Sequence, residues 1–290
     1  LQSYERHQIL SFVAEKIREQ KEEFASLIVS EVGKPLSAAR GEIERSITTF
    51  QYAAEESRRI GGDVVPLDIS VAGKNRYGIL RRFPLGVILG ISPFNFPLNL
   101  VAHKVAPAIA SGNAFLLKPA TQASLTSLRL ARIIEASGFP IEAFSVLPCS
   151  NALAGELVKD ERIKMFSFTG SPVVGWSLKS TAGKKKVVLE LGGNAGVIVD
   201  RTANIDVAVR KNLMGAFVYS GQVCIKVQRI YIHAEIFEEY KARFLEAAQA
   251  LKSGDPQNPE TVVGPVINSD AVDRIMNWIE EARDLGATVL

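Results

Sequence analysis

Cys224 is the residue whose chemical type and setting most directly suggest chemistry in this chain. It stands in YSGQVCIKVQRIYI (219–232), directly after a Gly-Gln pair and before a β-rich run. From this position alone, the cysteine fits a buried strand, a disulfide with Cys149, a metal site or a nucleophile. A nucleophilic cysteine needs a base, a cation or a helix dipole to become a thiolate. The other polar residues of the chain therefore have to decide among these four roles.

Glu190 and Asn95 lie at the ends of apolar runs that predict buried strands. Glu190 closes VVLE before LGG, and burial there would raise the carboxyl pKa to suit a general base near neutral pH. Asn95, within SPFNFP, offers an amide donor for an oxyanion. Each residue also has an ordinary explanation: an exposed strand end for the glutamate, and a turn for the asparagine.

Two further segments suit a nucleotide ligand. Lys118 ends the apolar run of LLKPAT, where an ammonium group can meet hydroxyl or phosphate groups, although strand-end lysines are often surface residues. In FTGSPVVG (168–175), Ser171 suits an N-cap and Pro172 the first helical position. The N–H groups of such a helix start would suit a phosphate, but a capped helix without a ligand fits equally. No GxGxxG follows the first strand, which counts against the usual dinucleotide fingerprint.

The elements that must position these residues alternate between strand and helix from about residue 85. Single helical segments separate apolar runs at 86–92, 113–119, 143–149, 164–170 and 185–193. This alternation predicts an α/β fold with a Rossmann-like, mostly parallel sheet covered on both faces. Ligands of such sheets bind beyond the carboxyl ends of the strands, where the polar residues above fall.

Other elements are predicted on either side of this sheet. Helical periodicity covers 4–29 and 37–60, with a break at Gly33-Lys34-Pro35. Alternation over 62–84 predicts a β-hairpin. A second αβ series starts at 194–200, which indicates a second domain.

Composition and charge exclude several classes of protein. The chain of 290 residues is 47% hydrophobic and 22% charged, which is ordinary for one or two globular domains. A net charge of +3 from scattered basic residues disfavours a nucleic-acid partner. No segment reaches about 18 uninterrupted apolar residues, so no membrane span is expected. Two cysteines and three histidines exclude most metal frameworks, and a cytoplasmic protein with reduced thiols is expected.

Together, SPFNFP, LLKPAT, FTGSPVVG, LELGG and GQVC resemble the aldehyde dehydrogenase family in order and spacing, across essentially the whole chain. The resemblance implies that Cys224 attacks the aldehyde to form a thiohemiacetal, and that hydride transfer to nicotinamide leaves a thioester. Asn95 and the Cys224 N–H would hold the oxyanion, and Glu190 would activate water. Lys104 matches a family lysine that is linked to proton transfer.

The resemblance also implies where NAD or NADP and the aldehyde bind. Lys118 would reach the adenosine ribose, and Thr169 and Leu191 would contact the nicotinamide end. Thr121 stands where NAD-preferring relatives often carry a glutamate, so NADP is plausible. The other coenzyme-binding residues would be Ser92, Phe94, Gly170, Ser171, Val174 and Gly175. The substrate tunnel would be flanked by Phe96, Leu100, Val223 and Ile225.

SPFNFP with KPAT is similar to the branch of non-phosphorylating glyceraldehyde-3-phosphate and lactaldehyde dehydrogenases. A small hydroxylated or phosphorylated aldehyde is therefore expected as substrate. A CoA-acylating aldehyde dehydrogenase and an inactive nucleotide-binding fragment are the alternatives.

The resemblance implies three parts of the chain. They are a dinucleotide-binding domain (1–61 and 85–192), an oligomerisation hairpin (62–84) that implies a homodimer or homotetramer, and an incomplete α/β catalytic domain (193–290). The chain begins with Leu1 rather than Met, and the family continues beyond Leu290. We therefore expect this chain to be a portion of a longer enzyme.

Overall fold

The computed structural model describes residues 1–290, which form two compact units. The first unit comprises Leu1–Lys21 and Glu42–Glu190. The second comprises Glu22–Gly41 and Leu191–Leu290.

Three helices open the chain: α1 (Ser3–Glu19), α2 (Lys21–Val32) and α3 (Leu36–Ser57). The single helix predicted over 4–29 is two helices, because the backbone of Gln20 leaves helical geometry at φ −103° and ψ 24°. The predicted break at 33–35 is confirmed. Gly33 takes φ +62°, a left-handed conformation that glycine adopts at little cost.

The predicted hairpin is confirmed as an antiparallel pair of β1 (Gly62–Pro66) and β2 (Tyr77–Arg81). Its apolar side chains are largely in solvent, with Val64 at 72% exposure and Ile79 at 66%. A two-stranded ribbon of this kind is marginally stable by itself.

A parallel five-stranded sheet forms the centre of the first unit and confirms the predicted Rossmann-like architecture. The strand order β5-β4-β3-β6-β7 means that the chain runs outward from β3 to β5 and then returns to β6. The change of direction at β3 creates the kind of crevice in which such sheets bind ligands. In chain order, the elements are β3 (Val87–Ile91), α4 (Asn99–Ala110), β4 (Ala114–Lys118), α5 (Ser124–Ala136), β5 (Phe144–Val146), α6 (Asn151–Lys159), β6 (Ile163–Thr169), α7 (Pro172–Thr181) and β7 (Lys186–Glu190).

The second unit contains a parallel pair of strands and three further helices. In chain order, they are β8 (Ala195–Val199), α8 (Ile205–Phe217), β9 (Val227–Ile232), α9 (Phe237–Gln249) and α10 (Ser269–Asp284). Val199, Val209 and Tyr240 are the buried centre of a small core. The amide of Asn212 donates to the Tyr240 hydroxyl over 2.8 Å, which satisfies a buried polar group. No helix of the chain has the length and apolarity that a membrane span requires.

The predicted domain boundaries place the whole of 1–61 in the first domain, but the structure groups residues 22–41 differently. They belong to the second unit. The N–H of Leu36 donates to the Pro256 carbonyl over 2.8 Å, and the Tyr219 hydroxyl donates to the Val32 carbonyl over 3.2 Å. Helical periodicity predicted α2 and its apolar face, but it carries no information on which domain that face covers.

Candidate functional site

Four strands of the first unit end at one edge of the parallel sheet. In the strand registers, Ile91 pairs with Lys118, and Thr169 pairs with Glu190. Ser92 directly follows β3, and its N–H donates to the Lys118 carbonyl over 3.2 Å. The structure therefore brings these polar residues to the sheet edge at which α/β proteins bind ligands.

Lys104 projects from α4 to this edge and is only 7% exposed. Its ammonium donates to the hydroxyls of Thr169 at 2.7 Å and Ser167 at 3.1 Å. Burial lowers the pKa of Lys104 to about 8, although the negative charge of Glu190 acts in the opposite direction. A lysine with this pKa exchanges its proton near neutral pH, so it is suited to proton transfer.

Glu190 ends β7 and is exposed, so the prediction of a buried carboxyl was wrong. Burial alternates along β7, and the last residue of the strand falls on the solvent side. Its backbone carbonyl is well fixed, since it accepts from the Gly170 N–H over 3.0 Å. The carboxylate still acts on its surroundings, because its charge partly offsets the lowering of the pKa values of Lys104 and His103.

Asn95 and Phe96 lie half-buried in the turn between β3 and α4. The start of α4 is capped from α3, because the Glu42 carboxylate accepts from the N–H groups of Leu98 at 2.8 Å and Asn99 at 3.0 Å. Glu42 is itself buried. A carboxylate stabilises a helix N-terminus through both hydrogen bonds and the helix dipole.

Positive charge surrounds the same turn. The Arg45 guanidinium stacks over the Phe96 ring at 5.8 Å. Burial lowers the pKa of His103, and the charges of Arg45 and Lys104 lower it further. Leu100, the other predicted tunnel residue on this side, is half-buried, and its N–H donates to the Phe96 carbonyl over 3.0 Å.

Lys118 is buried at the end of β4, so the alternative explanation of a surface lysine at a strand end does not apply. Its ammonium donates to the Asn151 side-chain oxygen over 3.1 Å. The pKa of Lys118 is lowered, because the effect of burial exceeds the opposing effect of the nearby Cys149. Thr121 is exposed in the short turn that follows β4.

The start of α7 has the predicted cap. Ser171 is the N-cap, its hydroxyl accepts from the Val174 N–H over 3.4 Å, and Pro172 opens the helix. An added Cβ at Gly170 would lie 2.5 Å from the buried Phe168 ring, so only glycine fits there. Val174 is exposed, and Gly175 is buried. The backbone at this helix start is therefore accessible, and it can approach a phosphate closely.

Cys224, in the second unit, is an exposed free thiol. It follows three consecutive left-handed residues: Tyr219 at φ 54°, Ser220 at φ 55° and Gly221 at φ 68°. Glycine takes this conformation readily, whereas each of the two other residues costs about 1–3 kcal/mol. Such a backbone persists only where the surrounding structure holds it.

Tyr219 is 1% exposed and contacts two other segments of the second unit. Its N–H donates to the Val262 carbonyl over 3.2 Å, and its hydroxyl donates to the Val32 carbonyl over 3.2 Å. The buried ammonium of Lys34 lies 4.8 Å from the centre of its ring. Attraction between a cation and an aromatic face is strongest in such desolvated places.

The next residues are held by the segment 264–267. The Ser220 hydroxyl donates to the Gly264 carbonyl. The Ile267 N–H donates to the Gln222 side-chain oxygen over 3.0 Å, and the Gln222 amide donates to the Pro265 carbonyl over 3.4 Å. The Gly-Gln pair before the cysteine is therefore part of a hydrogen-bonded turn.

The Cys224 backbone also approaches the turn that follows β7. An added Cβ at Gly193 would lie 3.4 Å from the Cys224 carbonyl oxygen, and Gly193 is three residues after Glu190. Leu191, at the start of this turn, is half-buried, as is Val223, whereas Ile225 is 76% exposed.

The sequence patterns missed several residues of these two regions. Buried polar residues within helical segments carried no signal, because periodicity describes them only as breaks in an apolar face. Lys34 lies in the segment that is predicted as a helix break, and the two left-handed non-glycine residues match no turn pattern. The missed residues are Lys34, Glu42, Arg45, His103, Asn151, Ser167, Tyr219, Ser220 and Gln222.

Comparison with known proteins gives one consistent result. The model of the aldehyde dehydrogenase family matches residues 1–290. A 3-sulfolactaldehyde dehydrogenase of Priestia aryabhattai is 40% identical over 287 residues, covering 99% of this chain and 60% of the relative. The chain thus spans about 60% of the length of the curated relatives it matches.

Solved structures give the same picture. The crystal structure of aldehyde dehydrogenase 21 from Physcomitrella patens, in complex with the reaction product succinate, is 46% identical with a TM-score of 0.96, covering 99% of this chain and 60% of that one. Glyceraldehyde-3-phosphate dehydrogenase GapN from Methanocaldococcus jannaschii, complexed with NADP, is 38% identical with a TM-score of 0.94, covering 99% and 62%.

Proposed function

Because the chain belongs to the aldehyde dehydrogenase family, we propose that it carries the groups for NAD(P)-dependent oxidation of an aldehyde to a carboxylic acid. The observation that supports this most directly is the approach of Gly193, three residues after Glu190, to the Cys224 backbone. The chain supplies an exposed thiol, Cys224, in the second unit and an exposed carboxylate, Glu190, at the end of the first. Those are the nucleophile and the base that the reaction needs.

In this mechanism, the Cys224 sulfur attacks the aldehyde carbon and forms a thiohemiacetal. The Asn95 amide and the Cys224 N–H donate hydrogen bonds to the developing oxyanion. NAD(P), when bound, supplies the acceptor for the hydride that leaves the same carbon, which leaves a thioester on Cys224. Glu190 then takes a proton from water, the resulting hydroxide attacks the thioester, and the acid is released with the thiol restored.

Lys104 fits the role of a proton carrier in this scheme. Its pKa of about 8 lets it give up and regain a proton near neutral pH. The hydroxyls of Thr169 and Ser167, which accept from its ammonium, would stay in place to stabilise the charged form. Glu190 is its source of electrostatic stabilisation.

The sheet edge fits a dinucleotide. The cap at Ser171 leaves backbone N–H groups at the start of α7, and Gly170 permits close approach of a phosphate. Lys118 would bind the ribose from the end of β4, with Ser92, Phe94, Thr169, Val174, Gly175 and Leu191 completing the contacts. Thr121 brings no negative charge to repel a 2′-phosphate, so we propose that NADP is accepted as well as NAD.

A small hydroxylated or phosphorylated aldehyde fits the predicted tunnel residues, namely Phe96, Leu100, Val223 and Ile225. Arg45 adds positive charge beside Phe96. That charge favours a substrate with an anionic substituent. The names of the relatives above, which include a sulfolactaldehyde and a glyceraldehyde-3-phosphate dehydrogenase, are consistent with such a substrate.

We also propose that the intact protein is a cytoplasmic homodimer or homotetramer in which the hairpin of β1 and β2 contacts another subunit. The exposed apolar side chains of the hairpin support this role.

The test is an initial-rate screen of small aldehydes with NAD and NADP, using the intact protein and its Cys224→Ser variant. We expect formation of reduced coenzyme with lactaldehyde or glyceraldehyde-3-phosphate, and a loss of at least about 10³-fold in the variant because a serine is a far weaker nucleophile. Substitution of Cys149 by serine should cost far less. Coenzyme binding without any aldehyde-dependent reduction would overturn the proposal in favour of a binding module.

A further inference from the structure

The break between α2 and α3 has no role in the mechanism above, yet its lysine is one of the most deeply buried residues of the chain. Lys34 is 0% exposed. A lysine is almost never fully buried unless its charge is compensated. At this place the ammonium lies over the ring of Tyr219, five residues before Cys224.

Three segments of the second unit interlock here. An added Cβ on Gly33 would lie 2.6 Å from the Pro265 side chain, and one on Gly264 would lie 2.7 Å from the Gly33 carbonyl. The third segment is the left-handed stretch at 219–221, whose first residue donates hydrogen bonds to the carbonyls of Val32 and Val262. The segments are therefore packed to backbone contact, without space for a side chain between them.

We propose that Lys34 and Tyr219 are positioning residues that hold the backbone in front of Cys224 in its left-handed conformation, and thereby aim the thiol at the aldehyde. The proposal rests on the proposed role of Cys224. A bulky residue in the left-handed region returns to extended or helical geometry unless its surroundings prevent it. The Tyr219 hydroxyl contacts Val32, its ring contacts Lys34, and its N–H contacts Val262. These three contacts restrain both the position and the rotation of the tyrosine.

The restraint passes to the cysteine through a short chain of hydrogen bonds. The Gln222 N–H donates to the Tyr219 carbonyl over 3.0 Å, and the Val223 N–H donates to the Gly221 carbonyl over 2.8 Å. The Lys226 N–H closes the turn by donating to the Val223 carbonyl over 3.2 Å. A rotation at Tyr219 therefore moves the backbone on both sides of Cys224.

The test uses the intact protein with Tyr219→Phe, which removes only the hydroxyl, and Lys34→Met, which removes only the ammonium group. Their matched controls are the exposed Tyr52→Phe and Lys184→Met. Hydrogen–deuterium exchange of 218–226, the alkylation rate of Cys224 by iodoacetamide, and kcat and KM for the best aldehyde are measured on all four.

In both test variants we expect faster exchange in 218–226 with unchanged exchange in β8 and β9, because the segment is released locally. Turnover should fall about tenfold in kcat with little change in KM, because the thiol is misplaced rather than lost. Alkylation of Cys224 should become faster, since a released thiol is more accessible to a small reagent. A general loss of folding would remove the protection of β8 and β9. It is therefore distinguished from a local release, in which alkylation becomes faster and kcat falls while β8 and β9 remain protected.

The proposal is overturned if Tyr219→Phe exchanges 218–226 at the wild-type rate. It is also overturned if this variant exchanges the segment faster but keeps the wild-type kcat. If the wild-type protein oxidises no aldehyde, the proposed function fails. Exchange and alkylation still decide whether Lys34 and Tyr219 hold the Cys224 segment. Failure of Lys34→Met to fold leaves Tyr219→Phe to decide.

Discussion

In the first unit, Lys104 is buried at the sheet edge and donates to two hydroxyls, whereas in the second unit Cys224 is exposed on a turn that follows left-handed residues. The first arrangement follows from the regular geometry of parallel strands, which bring their carboxyl ends together. The second depends on contacts from segments far away in the sequence. One half of the proposed chemistry is therefore fixed by secondary structure, and the other half is fixed by tertiary packing. The following experiments either sharpen or break this contrast.

The largest effect is expected for Glu190→Gln, which removes the base from the sheet edge and leaves its hydrogen-bonded backbone intact. Steady-state acid production should fall about 10²–10⁴-fold, while a first turnover of coenzyme reduction remains. Rapid mixing followed by mass spectrometry should detect the thioester on Cys224. Unchanged CoA-dependent turnover would instead favour the CoA-acylating alternative, and the exposed Glu142→Gln is the control.

The next effect concerns the pH dependence of stability and the burial of Lys104. Because its pKa is lowered from 10.5 to about 8, the folded protein loses this proton at a lower pH than the unfolded chain. Stability therefore rises with pH between 8 and 10.5, by up to about 3 kcal/mol from this residue. Urea unfolding of wild type and Lys104→Met on both sides of this interval should show a smaller rise in the variant, in which the lowered pKa of Lys118 still contributes. Parallel curves would contradict a buried, charged Lys104.

A smaller effect is expected for Glu42→Ala, which removes the cap of α4. The loss of two hydrogen bonds from buried backbone N–H groups to a carboxylate should cost about 2–4 kcal/mol of the free energy of unfolding. Glu56→Ala, which breaks an exposed ion pair with Arg59, should cost at most about 1 kcal/mol. Equal losses in denaturant unfolding would mean that α4 is held by its apolar face alone.

The smallest effect is expected for Arg45→Met. Its charge beside Phe96 should matter only for an anionic aldehyde, so KM for glyceraldehyde-3-phosphate should rise about tenfold. KM for propanal should remain as in wild type. Steady-state kinetics of Arg59→Met, a variant of an exposed arginine in the turn that follows α3, provides the comparison. A similar rise for both aldehydes would indicate a packing role for Arg45.

The sequence predicted the strands of the first unit much better than the turn that precedes Cys224 in the second. Apolar runs and capping residues located every strand of the parallel sheet, and strand ends located Lys118, Thr169 and Glu190. The exposure of Glu190 was not predicted, because an apolar run does not reveal which face of its strand is covered. The left-handed Tyr219 and the buried Lys34 were also beyond prediction, since their conformations follow from partners many residues away. Local patterns describe local preferences, and these two residues depart from theirs.

The fit between Gly170 and Phe168 has a consequence for variation at this sheet edge. The ring occupies the volume in which any Cβ at position 170 would stand, and the ring is itself enclosed by the core. A saturation library at position 170 should thus return glycine alone, and alanine should survive only alongside a smaller partner at 168. Engineered variants are therefore expected to change these two positions only as a pair.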